Sequence, residues 1–171
     1  MAQESSSDSV ARSLVFASSS PTHTEWLDRL KRRVAQYATE LEWWDDSSVP
    51  QDAYSKNEIE AHIHRATVAV VLLSPDYLAS TSKQPELELL DTETKSRDLR
   101  LLPVVVEPCG WERVEVLRRF QVWSGGRPLA ELSRDALDRE LKEIAHAILK
   151  YASSSAPWSP WSTDVLSRFS F

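Results

Sequence analysis

Glu86 is the carboxylate whose surroundings in the chain most resemble a working site. It follows the stretch SPDYLASTSKQP, which leaves the apolar run VAVVLL through Ser74 and Pro75, and it falls in the first turn of the next helical segment. A carboxylate there can complement the positive end of a helix, or the helix end is a site and Glu86 its working group. Other reactive groups are sparser. Asp45 and Asp46 end a second apolar run, Ser18, Ser19 and Ser20 end a first, and His62 and His64 stand two apart while His23 and His146 are isolated. No histidine pair has the i, i+4 spacing of a helical metal site and there is one cysteine, Cys109, so no metal ligands are assigned. No GxSxG elbow marks a nucleophilic serine. Three glycines, Gly110, Gly125 and Gly126, supply neither GxGxxG nor a phosphate-cradling loop, which argues against a resident dinucleotide.

These groups need a frame to bring them together. LVFAS (14–18), LEWW (41–44), VAVVLLS (68–74) and LLPVVVEP (101–108) read as strands, with RFQVWS around Phe120–Ser124 as a weak fifth. The third and fourth are continuously apolar, as strands covered on both faces must be. Between them run helical patterns. Thr22 to Glu25 offers a capping box for a helix carrying Trp26, Leu27, Leu30, Val34 and Leu41 on one stripe, and Ser55 to Glu58 offers another, ahead of Ile59, Ile63 and Ala66. Gln84–Leu99 has Pro85 in its first turn, and Ser133–Tyr151 turns Leu137, Leu141, Ile144 and Ile148 inward. The alternation predicts an α/β, flavodoxin-like three-layer fold, a five-stranded parallel sheet with helices on both faces. In such a sheet ligands sit beyond the carboxyl ends of the strands. Topology alone therefore converges the serines after Phe16, Asp45, Asp46 and Glu86.

Composition narrows the partners. With 171 residues, 42% of them hydrophobic, the chain can bury one good core. A net charge of -6 argues against nucleic acid or an anionic lipid surface, and the basic stretch DRLKRRV reads as a solvated helix face. No apolar run is long enough to span a bilayer, MAQESSSDSVARS lacks the apolar core of a signal peptide, and a lone cysteine suits a reducing compartment, so a cytoplasmic protein is expected. Residues 1–13 are expected to be disordered and 14–152 to form the domain. Residues 153–171 read as a linker or tail whose Trp158, Trp161, Phe169 and Phe171 call for a packing partner: this domain, a neighbouring copy, or a further domain to which the tail leads. A phosphate-accepting receiver domain would need an aspartate closing the third strand and a lysine closing the fifth, where Ser74 and Ser124 stand.

The order VFASSS, EWWDDSSVPQDAY, VVLLSPDYLASTSKQPEL, LLPVVVEPCGW resembles the Toll/interleukin-1 receptor (TIR) domain family, its bacterial members above all, over roughly Leu14 to Tyr151. Ser74, Pro75, Tyr77, Ser80, Glu86 and Leu87 match its third-strand pattern in type and spacing, and Trp44, Asp45, Pro50 and Tyr54 match its second block. Ser82-Lys83, Gln51 and Ser19 depart from the Trp-Cys, Gly and Tyr that many members carry there. The resemblance implies an NAD+ glycohydrolase, perhaps also a cyclase, that severs the nicotinamide–ribose bond as the effector of an immune or antiphage response. It implies Glu86 as the catalytic group, Ser18, Ser19, Trp44, Asp45 and Ser80 at the substrate, NAD as substrate and no lasting cofactor. It also implies other TIR domains as partners in a homo-oligomer or filament. The alternative that stays open is a scaffold acting only through TIR–TIR contacts.

Overall fold

Val68–Leu73 has no polar side chain, and all six of its residues are buried; such a run is stable only inside a sheet covered from both sides. In the computed structural model, which describes residues 13–38, 41–45 and 53–153 but not the side chains of 53–55, it is the third strand, β3. It lies between β1 (Leu14–Ser18) and β4 (Arg100–Val105), and β2 (Glu42–Asp45) pairs with the far side of β1, so the order is β2-β1-β3-β4. All three pairings are parallel, with Phe16 opposite both Trp44 and Ala69, and Val71 opposite Pro103. Alternate side chains feed two cores. Val15, Ala17, Val70 and Val104 meet Leu27, Leu30 and Val34 of α1 (Thr24–Ala35) and Ile144 and Ile148 of the final helix; Phe16, Ala69, Val71 and Val105 meet Ile63 of α2 (Ala53–Arg65), Tyr77, Leu87 and Leu90. Each buried Val or Leu contributes about 1.5–3 kcal/mol, so both layers are cemented by the strands' continuous apolar character.

Two further helices follow β3. The short α3 (Pro75–Ala79) is capped by Ser74, whose Oγ accepts from the Tyr77 N–H at 3.1 Å, with Pro75 where no helical donor is needed. The stretch after Ser74 reads in sequence as polar or small residues crossing to the next helix, and the cap explains why it coils instead. The longer α4 runs Lys83–Ser96. After β4 come the four-residue α5 (Glu115–Arg118) and the long α6 (Arg134–Ser153). Arg100, buried at the start of β4, donates to the Tyr151 carbonyl, and Ser13 Oγ donates to that of Ala152 at 3.0 Å, which fixes the end of α6 under the sheet.

The expected fifth strand is absent: among the described residues the sheet has four strands. Arg100 N–H donates to Thr67 and Val106 N–H to Leu73, so by ladder alternation the nitrogen of Pro103 falls on the outer edge, where a fifth strand would need a donor. The candidate segment has other bonds to make. Phe120 N–H turns back to Leu117, and Ser124, Gly125 and Gly126 all have positive φ (52°, 66° and 91°), which bends the chain out of an extended path. A Cβ on Gly126 would stand 2.7 Å from the Trp111 ring, so only glycine fits. The Trp123 indole N–H and the Ser124 hydroxyl both donate to Glu140 Oε1 at 3.0 Å, fastening the segment to α6 as a turn.

Boundaries also shift. The Thr22–Glu25 capping box does not form, because Pro21–His23 is a 3-10 turn capped by Ser20, and α1 starts at Thr24. Leu41 lies past α1 and packs on the core just ahead of β2, which is one residue later than LEWW; α2 starts at Ala53, two residues before the predicted cap. The expectations for residues 1–12, Asp46, Pro50, Gln51, the side chains of Tyr54 and Ser55, and the aromatic tail 154–171 fall outside the described residues.

Candidate functional site

The carboxyl edge of the sheet is where Ser18 closes β1 and Ser74 closes β3. Ser18, fully buried, faces the same side as Phe16 and meets α3 and α4 there. Its hydroxyl donates to Oε1 of Glu86, and its oxygen lies 2.8 Å from the Tyr77 hydroxyl. A serine has one proton to give, and the carboxylate takes it, so Tyr77 must be the donor in the second bond. The result is a directed relay, Tyr77 to Ser18 to Glu86. The other carboxylate oxygen, Oε2, faces Lys83 Nζ at 3.7 Å, and that ammonium lies 5.9 Å from the centre of the Tyr77 ring. Glu86 is 7% exposed and Lys83 4%. Charge so far from water interacts more strongly than on the surface and must be paired.

The remaining predicted residues have other company. Trp44 stacks on Phe16, at a centroid distance of 5.4 Å, and on His62, at 4.1 Å. Asp45 turns to the opposite side of the sheet and binds Lys31 Nζ at 2.8 Å. Ser80, at the end of α3, meets Ser82 Oγ at 3.0 Å in the link to α4. Ser19 is buried directly after β1, followed by Ser20, which bonds Thr22 Oγ1 at 2.9 Å. Thr22 also donates to Asp76 at 2.8 Å, and His23 contacts Glu107, so the loops after β1, β3 and β4 are tied together along this edge. Of the predicted set, then, the structure brings Ser18 to Glu86, leaves Ser19 and Ser80 in neighbouring loops, and commits Trp44 and Asp45 elsewhere.

Two members of the cluster were given no site role by sequence reasoning: Tyr77, noted only as a match to the family pattern, and Lys83, noted only as a departure from it. The signal for Tyr77 was its place three residues after a helix-capping serine, which turns it inward. For Lys83 there was little, since a lysine at a helix start normally reads as solvated. Among the described residues no group of three or more His, Cys, Asp or Glu side chains could hold a metal ion, and no helix is long and apolar enough to cross a membrane. Burial raises the pKa of the Cys109 thiol; a backbone hydrogen bond from Trp111 opposes that rise and the nearby Glu112 adds to it, so the thiol is a poor nucleophile near neutrality.

The fold agrees with the comparison to known families. The TIR domain family profile matches residues 15–144, most of the chain, and the chain belongs to that family. A solved structure, the TIR domains of the activated Roq1 resistosome directly recognizing the pathogen effector XopQ, is similar at 20% identity over 78% of this chain and 84% of that one, with a TM-score of 0.49. No match is found among curated proteins.

Proposed function

We propose that this TIR domain is an NAD+ glycohydrolase, a cytoplasmic effector of an immune or antiphage response, in which Glu86 is the working carboxylate. The observation that carries the reading is a buried carboxylate, held by Ser18 and Tyr77, at the carboxyl edge of a parallel sheet. The chemistry suits a single acid. When the C–N bond between ribose and nicotinamide breaks, its electron pair neutralises the pyridinium nitrogen, so the leaving group needs no proton. Water then adds its oxygen to the anomeric carbon and releases a proton; attack by a hydroxyl of the adenosine half would give a cyclic product instead. Glu86 stabilises the positive charge that grows on the anomeric carbon, an effect strongest where water is excluded. Ser18 and Tyr77 orient the carboxylate, and no cofactor is consumed. Assembly with other TIR domains, which the family resemblance implies, would complete the site, and activity per molecule would then rise with concentration.

One observation favours a second reading, a non-catalytic scaffold: each oxygen of Glu86 already has an internal partner. The test is nicotinamide release from NAD+ by the purified protein across a hundredfold dilution series. Release that steepens with concentration supports the glycohydrolase. Its absence at every concentration leaves the scaffold.

A further inference from the structure

Lys83 stands where two costs meet. It is the first residue of α4, where the helix already presents its positive end, and it is 4% exposed, so its ammonium has given up nearly all its water. Helix chemistry and burial would both favour a neutral side chain of similar length. One offset to these costs is Glu86, whose Oε2 is 3.7 Å away. At that separation the pair presents a dipole to its surroundings in place of a full negative charge, and a dipole's field dies away faster with distance. A cation approaching Glu86 therefore meets far less attraction than the carboxylate alone would exert.

We propose that Lys83 is the resident counter-ion of the site: its ammonium holds the place opposite Glu86 that the substrate's cationic pyridinium–ribose unit must take, and NAD+ is engaged only as that ammonium withdraws. The inference rests on Glu86 being the working carboxylate. The mechanical means to withdraw are local. Ser82, which starts the helix, makes no side-chain capping bond, and the Lys83 N–H reaches the Ser80 carbonyl at a long 3.3 Å. Thr81 and Ser82 are exposed. The first turn of α4 thus lacks a side-chain cap, and it carries the counter-ion at the end of a four-carbon stem. Lys83 is a positioning residue that acts through Glu86; it tunes the field on the reacting centre and need not touch it.

The test compares Lys83→Met and Lys83→Gln, which remove the charge at similar length, with Lys83→Arg, which keeps it. Folding of each is checked by its melting curve, and the glutamine variant decides if the methionine variant does not fold. Both neutral variants are expected to raise kcat/KM for NAD+ by at least about tenfold, chiefly through KM, because removing a like charge near a cation strengthens ground state and transition state together. The arginine variant should show no gain. A second readout separates charge from simple loosening: the neutral variants should bind NAD+ more tightly with no matching gain for NADH, whose nicotinamide ring is uncharged. An active parent whose neutral variants cleave NAD+ no faster, or an equal gain for NAD+ and NADH, overturns the counter-ion. If no protein in the set releases nicotinamide, the glycohydrolase reading falls by itself; a selective gain for NAD+ over NADH then still upholds the counter-ion, and its absence overturns it.

Discussion

Helix α4 holds a buried carboxylate near each end, and the two are built to opposite rules. At the carboxyl end Glu93 is 6% exposed, bound by Arg97 Nε and by His64 Nδ1 at 3.1 Å. Arg97 then donates to the carbonyls of Ala66 at 2.8 Å and of Ile63, which close the end of α2. A cation at a helix carboxyl end is where the dipole favours it, and the fork of Arg97 welds two helices. At the amino end the cation is Lys83, where the dipole disfavours it, and the donor to Glu86 is Ser18 at a strand end, itself bonded to Tyr77 of a neighbouring short helix. One pair obeys every local rule and explains itself as architecture. The other breaks a local rule at the carboxyl edge, the edge at which open parallel sheets generally bind ligands, and a site is where function is expected to override stability.

The sharpest way to break this contrast is to neutralise each carboxylate in turn. Glu86→Gln should lower turnover by roughly a hundredfold to a thousandfold, the worth of a preorganised group facing transition-state charge, about 2.7–4 kcal/mol. It should also cost about 1–3 kcal/mol of stability, because the buried Lys83 loses its counter-charge. Combining it with Lys83→Met should restore the melting temperature and leave turnover low. Glu93→Gln should do the reverse, keeping turnover per folded molecule and lowering the melting temperature by several degrees. Equal losses of turnover from the two single changes would erase the distinction between the ends.

Smaller, and confined to stability, is the contribution of the Arg97 lock. Arg97→Met should cost about 1–2 kcal/mol at neutral pH, since it leaves Glu93 only His64 and uncaps α2, with the activity of the folded fraction unchanged. The same lock carries a pH signature. Burial by itself would raise the Glu93 pKa, but the hydrogen bonds and charges of Arg97 and His64 outweigh it and hold the group below its ordinary 4.5. A carboxylate whose pKa is depressed by folding contributes stability that is fully present above the unfolded value and lost as pH falls through the folded one. The gap in melting temperature between the parent and Glu93→Gln should therefore persist above pH 4.5 and close below it. A gap that stays constant to well below that point would show that the ion pairs do not hold the proton off.

Much of this contrast could be read before any coordinates. β1, β3 and β4 announce themselves because strands covered on both faces have no room for polar side chains, and Glu86 stood out by its spacing from Ser74. The fifth strand was misread because RFQVW has strand composition; its fate was decided by Pro103 across the edge, outside the segment, and by a left-handed turn that begins at Ser124, its last residue. Long-range company was equally hidden. Nothing local says that Trp44 will stack on His62, that Asp45 will find Lys31, or that Lys83 will be buried against Glu86. Those are contacts between elements, and residue type fixes them only after the helices have docked.

The smallest expected effect is the most economical check on the geometry. Glu88 lies two residues beyond Glu86, rotated by about 200° around the helix, and is exposed where Glu86 is buried. It shares with Glu86 its charge and its half of α4, so any effect that came merely from helix-end electrostatics would act on both. Any effect that came from facing Ser18, Tyr77 and Lys83 would act on Glu86 alone. Glu88→Gln should then leave nicotinamide release within experimental error of the parent and stability within about 0.5 kcal/mol, as for an ordinary surface substitution. A loss of turnover approaching that of Glu86→Gln would mean that the helix as a charged body, and no single inward carboxylate, carries the activity.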